Sequence, residues 1–362
     1  MNNLFSDFLL LLFLSVFVYG IKPIKPISAI NPDYLSIDTT KQYRGLFSIL
    51  IVFHHLGQQS QVGYVFDDFV KYGFLAVGFF FFVSGYGMQK SYMSKGEAYR
   101  KKFLVKRIPS VLIPYLVVTV LYWVVNYMNG KTYSVIEILT DTLHGEPIAL
   151  YSWFIIIILL IYCFYWLLMS VCKKRYVLFL ALGGIGCMAW TAYCLLMSYG
   201  YWWYISTPAF LIGLFWAIYE NTIIDVIKKN RWIIPCTWVL TCLLLVCGDQ
   251  ILLLPIPKIH TIRYFVCVMC FLFSVLFFSM KFIVGNKILS FFGDISLEIY
   301  LIHGLFILLY RSNIVNIEND SVLFVLVIVS SICSGLLLHF LFGKLLKNMK
   351  VVRTKILDSK KR

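Results

Sequence analysis

The sequence predicts an all-α fold, a polytopic bundle of transmembrane helices, from three observations. Hydrophobic residues make up 60% of the 362-residue chain and charged residues only 14%, whereas soluble domains are closer to half apolar and a quarter charged. The mean hydropathy is +0.83. The apolar residues form continuous blocks of about 17–25 residues, the length that crosses a bilayer as a helix. Strands of a membrane barrel would instead alternate apolar and polar residues.

Hydrophobic blocks in chain order give the predicted helices, separated by short polar loops. The first block can be a retained membrane helix or a cleaved secretory signal. No Lys or Arg lies within Met1–Phe8, and Lys22 and Lys25 follow the block, which favours a retained helix. We therefore expect ten core helices plus an extra N-terminal helix. The predicted spans cover residues 4–20, 44–62, 70–90, 108–126, 151–171, 177–197, 201–219, 232–248, 262–280, 289–311 and 321–343.

Basic residues concentrate in alternate loops, and this alternation predicts the orientation of the spans. Cytoplasmic loops of membrane proteins carry the excess of Lys and Arg, so the segment after the first helix and the C-terminal tail are predicted to be cytoplasmic. The net charge of +15 then reflects topology and anionic headgroups rather than nucleic acid. The predicted cytoplasmic residues are Lys22, Lys25, Lys41, Arg44, seven basic residues from Lys90 to Arg107, Lys173, Lys174, Arg175, Lys228, Lys229, Arg231, Lys281, Lys287 and the tail from Lys344.

Composition divides the chain into three parts. Residues 1–40 form an N-terminal apolar helix and a cytoplasmic linker, residues 41–345 a membrane domain, and residues 346–362 a basic cytoplasmic tail. The largest outer loop, residues 127–150, is too short to fold alone but can cap a site. Cysteines lie mostly inside apolar blocks, where they pack as small hydrophobes. The Cys267–Cys270 pair lacks partner ligands, so no metal site is expected.

The stretch RGLFSILIVFHH, residues 44–55, places three ionisable groups in one predicted helix. Such groups are costly in a membrane and are therefore candidates for function. Eleven steps of 100° bring Arg44 and His55 onto one face, roughly 16 Å apart along the axis, and turn His54 about 100° away. A neutral His can remove a proton from an alcohol, and an Arg can hold a phosphate. Alternatively, Arg44 is an interfacial anchor and His55 bonds to a neighbouring helix.

Two features of residues 78–116 stand out. Ser84-Gly85 interrupts an aromatic run and lets another backbone come close. A basic cluster containing Lys102, Lys106 and Arg107 then leads into the next predicted helix, where Pro109 is tolerated in the opening turn. Such a cluster can bind a nucleotide-like polyanion or can simply set the topology.

Two further stretches contain candidate residues. In FFGDISLEIYLIHGLF, His303 lies in the middle of a predicted span and shares a helix face with Tyr300, whereas Glu298 is 140° away. His303 can be functional or a hydrogen-bonded core residue. The segment Tyr151–Phe154, which includes Trp153, opens another span, and aromatic residues are expected at that interface in any case.

Together and in this order, these stretches resemble the acyltransferase 3 family of membrane acyltransferases. Arg44 and His55 match its Arg-x10-His pattern, and FFFFVSGYGM is similar to its FFxLSGF run. FLVKRIPSVLIPYL is similar to RRxxRIxPxY, with departures at Lys106 and Ser110. YSWFIIIILLIY resembles WFLxxLxxxY, and GDISLEIYLIHGLF resembles GxxSYxxYLxH. The resemblance covers about residues 40–345, and family members have ten core helices, so the first helix here would be extra.

The resemblance implies a multi-pass enzyme of the cell (plasma or inner) membrane. It would transfer an acyl group, most often acetyl from cytoplasmic acetyl-CoA, to a hydroxyl of a surface polysaccharide or a lipid-linked sugar. His55 would be the catalytic residue, as general base or transient acyl carrier, and Arg44 would orient the donor. Membrane lipids would be further partners; no nucleic acid, metal or permanently bound cofactor is expected.

The same resemblance implies two groups of binding residues. The candidates for acyl-CoA binding are Arg107, Lys106 and Lys102. The expected substrate cavity is lined by Ser84, Trp153, Tyr300 and His303.

Two other classes of membrane protein fit part of this pattern. A transporter also has many helices with a few buried ionisable groups, but no inverted repeat is evident here and Glu298 is the one acidic residue in the middle of a predicted span. A polysaccharide polymerase or flippase usually has a large outer loop with arginines. The only basic residue of loop 127–150 is Lys131.

Overall fold

The computed structural model describes residues 3–26, 29–246 and 259–359. In the last helix, side chains are described up to Met349. These residues contain fourteen α-helices, a 3-10 turn at Tyr201–Trp203 and a two-stranded antiparallel ladder of β1 (Lys22–Pro23) with β2 (Phe282–Ile283). The helices are α1 Asn3–Val18, α2 Ile37–Gly57, α3 Tyr64–Val70, α4 Gly73–Lys95, α5 Glu97–Met128, α6 Val135–Leu143, α7 Trp153–Cys172, α8 Tyr176–Leu196, α9 Pro208–Lys229, α10 Ile233–Val246, α11 Ile259–Lys281, α12 Lys287–Asp294, α13 Ser296–Tyr310 and α14 Asp320–Ser359.

The all-α, multi-pass prediction agrees with this architecture. Among the described residues, six helices are long and apolar enough to cross a membrane, and α12 with α13 would make a seventh as a bent pair. Two shorter apolar helices, Leu4–Val18 and Ile233–Leu245, match further predicted spans. The total of ten core helices stays a prediction. The end of the predicted span 232–248 and the last three residues of the basic tail lie outside the described residues.

The predicted single helix over residues 289–311 is wrong, because the chain bends there by 73°. The two helices α12 and α13 meet at Ile295, whose backbone (φ −103°, ψ 15°) is not helical. The side chain of Asn286 caps α12 by accepting from the amide of Leu289. Ser296 donates its hydroxyl to the carbonyl of Gly293, 3.0 Å away. The Asn286 cap thus defines the start of α12, and at the break Ser296 satisfies a carbonyl that an unbroken helix would pair internally.

The bend lets α12 lie against the first half of α2 while α13 packs along the same helix. The contact between α2 and α12 has no room for side chains. A Cβ atom on Gly45 would overlap the carbonyl oxygen of Leu289, and one on Gly293 would overlap the carbonyl oxygen of Lys41. Glycine at both positions allows the two backbones to touch.

Helices α2 and α4 form the centre of the bundle. The first packs against α3, α4, α12 and α13, and the second also packs against α5, α9 and α11. Every residue of α2 from Gly45 to Phe53 is buried. A helix enclosed by protein can carry polar groups, which explains why α2 holds ionisable residues. The predicted close approach at Gly85 is confirmed, since a Cβ there would overlap the carbonyl oxygen of Phe210 in α9.

Helix connectivity separates the charged residues between two ends of the bundle. We call the end where α2 begins the basic end and the end where α2 finishes the acidic end. At the basic end, Lys41 pairs with Asp294 at 3.4 Å and Lys90 pairs with Glu220. At the acidic end, Arg311 pairs with Asp320. The predicted assignment of the basic end to the cytoplasm stays a prediction.

The N-terminal helix α1 is attached to the bundle at both ends. Its buried Asp7 accepts a hydrogen bond from the amide of Phe66 in α3, 2.8 Å away. At the basic end, the side-chain amide of Asn286 donates to the carbonyl oxygen of Val16 at 2.8 Å. Leu10 is buried between these two points. The extra helix is therefore packed as part of the bundle.

Candidate functional site

A cavity of about 660 Å³ opens at the acidic end of the bundle. The last turn of α2, the start of α4, the segment after α5 and residues of α13 form its walls. The cavity lining contains aromatic rings together with charged and amide side chains. The residues relevant here are His54, His55, Gln58, Asn126, Tyr133, Asp141, Glu146, Tyr151, Trp153, Tyr201, Trp202 and Tyr300.

His55 lies in the last turn of α2 and is buried. Its Nδ1 is 3.1 Å from Oε1 of Gln58. One face of the imidazole stacks on the ring of Tyr151, with centroids 3.6 Å apart and an angle of 16°. The ring of His303 lies nearly parallel at 5.3 Å. Among the described residues, Nε2 of His55 has no hydrogen-bond partner, so this nitrogen is available for chemistry in the cavity.

Tyr151 is held in a strained conformation that sets its ring against His55. Its φ of 63° lies in the left-handed region, which costs an aromatic residue on the order of 1–3 kcal/mol. The hydroxyl of Tyr300 donates to the carbonyl oxygen of Tyr151, and the side-chain amide of Gln59 contacts its hydroxyl at 3.4 Å. Sequence reasoning missed Tyr151, because an aromatic residue at a helix start is expected at any membrane interface.

Gln58 connects the two neighbouring histidines of α2. Its side-chain amide reaches Nδ1 of His55 at 3.1 Å and Nε2 of His54 at 3.2 Å. The His54 and His55 rings are 4.7 Å apart, and both residues line the cavity. The helical period predicts that His54 points about 100° away from His55. In the fold, the loop and helices around the end of α2 enclose both side chains. Gln58 was also missed, since a single exposed Gln has no sequence signal.

The four predicted cavity residues have different positions. Trp153 and Tyr300 line the cavity. His303 lies behind His55, with no exposed surface. Its Nδ1 donates to the carbonyl oxygen of Ile299 at 3.2 Å, and its buried Nε2 has no partner within the described part of the chain. Ser84 is not among the lining residues. It lies in α4 seven residues beyond the lining residue Val77, roughly 10 Å farther along the helix axis.

Arg44 lies in the basic half of α2, well separated from the cavity at the other end. It is half-buried and close enough to Asp294 and Arg107 to interact with both electrostatically. Arg107 in turn interacts with the hydroxyl groups of Tyr99 and Tyr162. The fold therefore brings together two arginines that are distant in sequence.

The other two candidates for donor binding, Lys102 and Lys106, are exposed on α5 near the same end. Among the described residues, no group of three or more His, Cys, Asp or Glu side chains could hold a metal ion. The arginine and histidine candidates thus form two separate groups. The arginine pair, Arg44 and Arg107, lies in the basic half, and the histidine cluster, His54, His55 and His303, lies at the acidic end.

Comparison with known proteins identifies a family that covers most of the chain. The family model described as "Acyltransferase domain", of the acyltransferase 3 family, matches residues 41–342. This range includes Arg44, His55, Arg107 and His303, and it begins after α1. No curated protein and no solved structure matches the chain significantly.

Proposed function

The chain belongs to the acyltransferase 3 family, and it is a multi-pass membrane protein with an acyltransferase domain. On this premise we propose that it transfers an acyl group, acetyl in the first instance, from cytoplasmic acyl-CoA to a hydroxyl of an extracytoplasmic or lipid-linked glycan. The observation that carries the proposal is His55, which lines the cavity at the acidic end and keeps one ring nitrogen without a described partner. Family membership favours acyl transfer over the transporter, polymerase and flippase alternatives.

His55 acts as the general base in this proposal. With the proton on Nδ1 and the Gln58 oxygen accepting a hydrogen bond from Nδ1–H, Nε2 holds a lone pair that can take the proton of the acceptor hydroxyl. The hydroxyl oxygen then attacks the thioester carbonyl, the C–S bond breaks, and the imidazolium returns the proton to the leaving thiolate. In the carrier variant, Nε2 attacks the thioester carbonyl, the C–S bond breaks and the thiolate leaves. The acceptor hydroxyl then attacks the acyl-imidazole, the C–N bond breaks to release neutral His55, and the hydroxyl proton is taken up by the thiolate.

The donor binds from the basic end. Arg44 and Arg107 can each offer a planar fork of N–H groups to a phosphate, and Lys102 and Lys106 add charge nearby. A separation of roughly 16 Å between Arg44 and His55 suits a donor whose phosphates are bound at one end. Its thioester is carried on a long flexible arm that can follow α2 toward the cavity. Arg44 orients this donor.

The cavity chemistry supports a sugar as the acceptor. Sugar rings have apolar C–H faces that pack on aromatic side chains and hydroxyl groups that bond to carboxylates. Both partners are present, because Tyr133, Tyr201 and Trp202 lie in the same lining as Asp141 and Glu146. A few polar groups among apolar rings are typical of a site that orients a small ligand.

The central test is the loss of transfer on removal of His55. The full-length protein in lipid nanodiscs is given radiolabelled acetyl-CoA and a sugar acceptor, and labelled product is measured. We expect His55→Ala to lower the transfer rate by about 10²–10⁴-fold, the range for loss of a general base. His144→Ala is the matched control, because His144 is exposed on the outer segment and does not line the cavity. Full activity of His55→Ala would refute the mechanism.

The acceptor is tested separately in cells. O-acetylation of surface glycans is measured with the gene present, deleted and restored as the His55→Ala form. We expect acetylation only with the intact gene. Unchanged acetylation after deletion would contradict a surface glycan as the acceptor in cells, and transfer in nanodiscs would leave the acyltransferase activity standing.

A further inference from the structure

We propose that Gln58 is a positioning residue that holds His55 in the tautomer required for base or carrier chemistry. The proposal rests on the proposed role of His55 and extends it to a residue outside the family motif. Gln58 follows directly after α2, and its side-chain amide lies between the two histidine rings. Its position is three residues beyond His55, so one further turn of the chain brings the amide back over the ring edge.

The two hydrogen bonds of Gln58 define which ring nitrogens carry protons. A side-chain amide has one oxygen that only accepts and one NH2 group that donates. Oε1 faces Nδ1 of His55 at 3.1 Å, so this Nδ1 must donate. The NH2 group faces Nε2 of His54 at 3.2 Å, so this Nε2 must accept. His55 therefore has its proton on Nδ1 and a free lone pair on Nε2, which is the form that can accept a proton or attack a thioester.

The surroundings of His54 agree with this orientation of the amide. With Nε2 accepting, the proton of a neutral His54 ring is on Nδ1. The carbonyl of Val70, an acceptor, interacts with the His54 ring without completing a hydrogen bond to Nδ1. A protonated Nδ1 is attracted by this carbonyl, whereas the reversed amide would place a lone pair there.

Other contacts of His55 do not select the tautomer. Tyr151 covers a ring face, and stacking is indifferent to which nitrogen carries the proton. His303 lies nearly parallel at 5.3 Å, and its own Nδ1 is occupied by the Ile299 carbonyl. Within the described part of the chain, Gln58 is the one hydrogen-bond partner of the His55 ring. The tautomer therefore depends on this amide.

The side chain of Gln58 can be changed without removing the end of α2. The helix is closed by the backbone amide of Gln58, which donates to the carbonyl oxygen of His54 at 3.2 Å. The residue is exposed, so its replacement leaves no buried void. A loss of activity can then be separated from a loss of folding.

The experiment measures thiol release from acetyl-CoA by the full-length protein in nanodiscs, with the sugar acceptor of the central test present. Gln58→Leu removes both hydrogen bonds, and we expect kcat to fall about 10- to 100-fold, as for other partners that orient a functional histidine. The KM for acetyl-CoA should stay within twofold, because the donor phosphates bind at the other end. Gln58→Glu retains an oxygen acceptor for Nδ1–H and should recover most of kcat. Gln61→Leu is the matched control, an exposed Gln outside the cavity lining, and should behave as wild type.

Each outcome bears on one proposal. A wild-type kcat in Gln58→Leu overturns the positioning role. A kcat of Gln58→Glu as low as that of Gln58→Leu also overturns it, because the Gln58 amide would then donate to His55 rather than accept from it. His55→Ala is measured in parallel. If it still releases thiol, the proposed role of His55 has failed, whereas an inactive His55→Ala with normal Gln58→Leu overturns the role of Gln58 alone. The melting temperature of every variant checks folding.

Discussion

At the scale of single residues, Tyr151 shows how the surroundings of His55 hold and cover its imidazole ring. Its backbone stays in the left-handed region because the Tyr300 hydroxyl binds its carbonyl and its ring packs on the imidazole. The energy stored in this conformation is balanced by contacts that only the folded bundle supplies. An aromatic face also attracts a cation. The ring can therefore stabilise the imidazolium that forms when His55 takes a proton.

We expect Tyr151→Leu to lower kcat about 2- to 12-fold, the factor that corresponds to an aromatic stacking contribution of ~0.5–1.5 kcal/mol. Tyr151→Phe keeps the ring and should remain within twofold of wild type. Tyr64→Leu serves as the control, since Tyr64 lies at the same end and is 93% exposed. Steady-state acyl transfer gives the comparison. Equal rates for the Leu and Phe variants would mean that stacking has no catalytic effect.

Arg44 is the corresponding residue in the basic half. Loss of a charged hydrogen bond to a phosphate costs ~1.5–3 kcal/mol, so Arg44→Ala should raise the KM for acetyl-CoA by roughly 10- to 150-fold. Arg44→Lys keeps the charge without the planar fork, so its KM for acetyl-CoA should lie between those of wild type and Arg44→Ala. Lys101→Ala, an exposed neighbour on α5, controls for general loss of positive charge. An unchanged KM in Arg44→Ala would contradict donor binding by this residue.

At the scale of elements, the break between α12 and α13 determines how α2 is supported. Helix α12 contacts α2 at Gly45, and after the bend α13 packs against the same helix beside His55. The contact depends on Gly45 and Gly293, where the backbones of α2 and α12 touch. This packing fixes the basic half of α2, which contains Arg44, while α13 brings His303 behind His55.

Gly45→Ala should destabilise the protein by about 1–3 kcal/mol, because a methyl group there forces the two backbones apart. Gly87→Ala is the matched control: Gly87 is also inside a helix, but nothing lies within 4 Å of its added Cβ. Alanine is the better helix former, so this control should be neutral or slightly stabilising. Thermal unfolding in detergent measures both. Equal melting temperatures would show that the contact between α2 and α12 can relax freely.

At the scale of the whole molecule, the proposed donor-binding arginines and the cavity lie at opposite ends of the bundle. The arginine pair lies toward the basic end, and the histidine cluster lies at the acidic end. The central helix α2 contributes residues to both groups. An enzyme that takes its donor from one side of a membrane and its acceptor from the other requires such an arrangement. The proposed function therefore depends on the basic end facing the cytoplasm.

Cysteine labelling in intact cells tests this orientation. A cysteine introduced as Tyr64→Cys at the acidic end should react with a membrane-impermeant maleimide, and one introduced as Lys173→Cys at the basic end should react only after permeabilisation. Both positions are exposed in the fold. The parent protein, which has native cysteines, gives the background. The reverse labelling pattern would contradict both the orientation and the proposed route of the acyl donor.

Much of this architecture follows from local pattern. Apolar blocks predicted the helices because a bilayer demands about 20 apolar residues per span. Helical periodicity aligned Arg44 with His55 because both belong to one continuous helix, and Gly85 predicted a close backbone contact that the fold contains. The patterns that predicted these features lie in residues near one another in sequence, although the contact partner of Gly85 is in α9.

The sequence by itself determined the helical membrane class, the resemblance to acyltransferases and the Arg44–His55 pair. Only the tertiary structure decided the bend at Ile295, the burial of His303 behind His55, the exclusion of Ser84 from the cavity and the contacts of Tyr151. The physical reason is the distance along the chain over which each kind of interaction acts. Periodicity reports which residues share a face of one helix, whereas ring stacking and cavity walls arise between elements that are far apart along the chain.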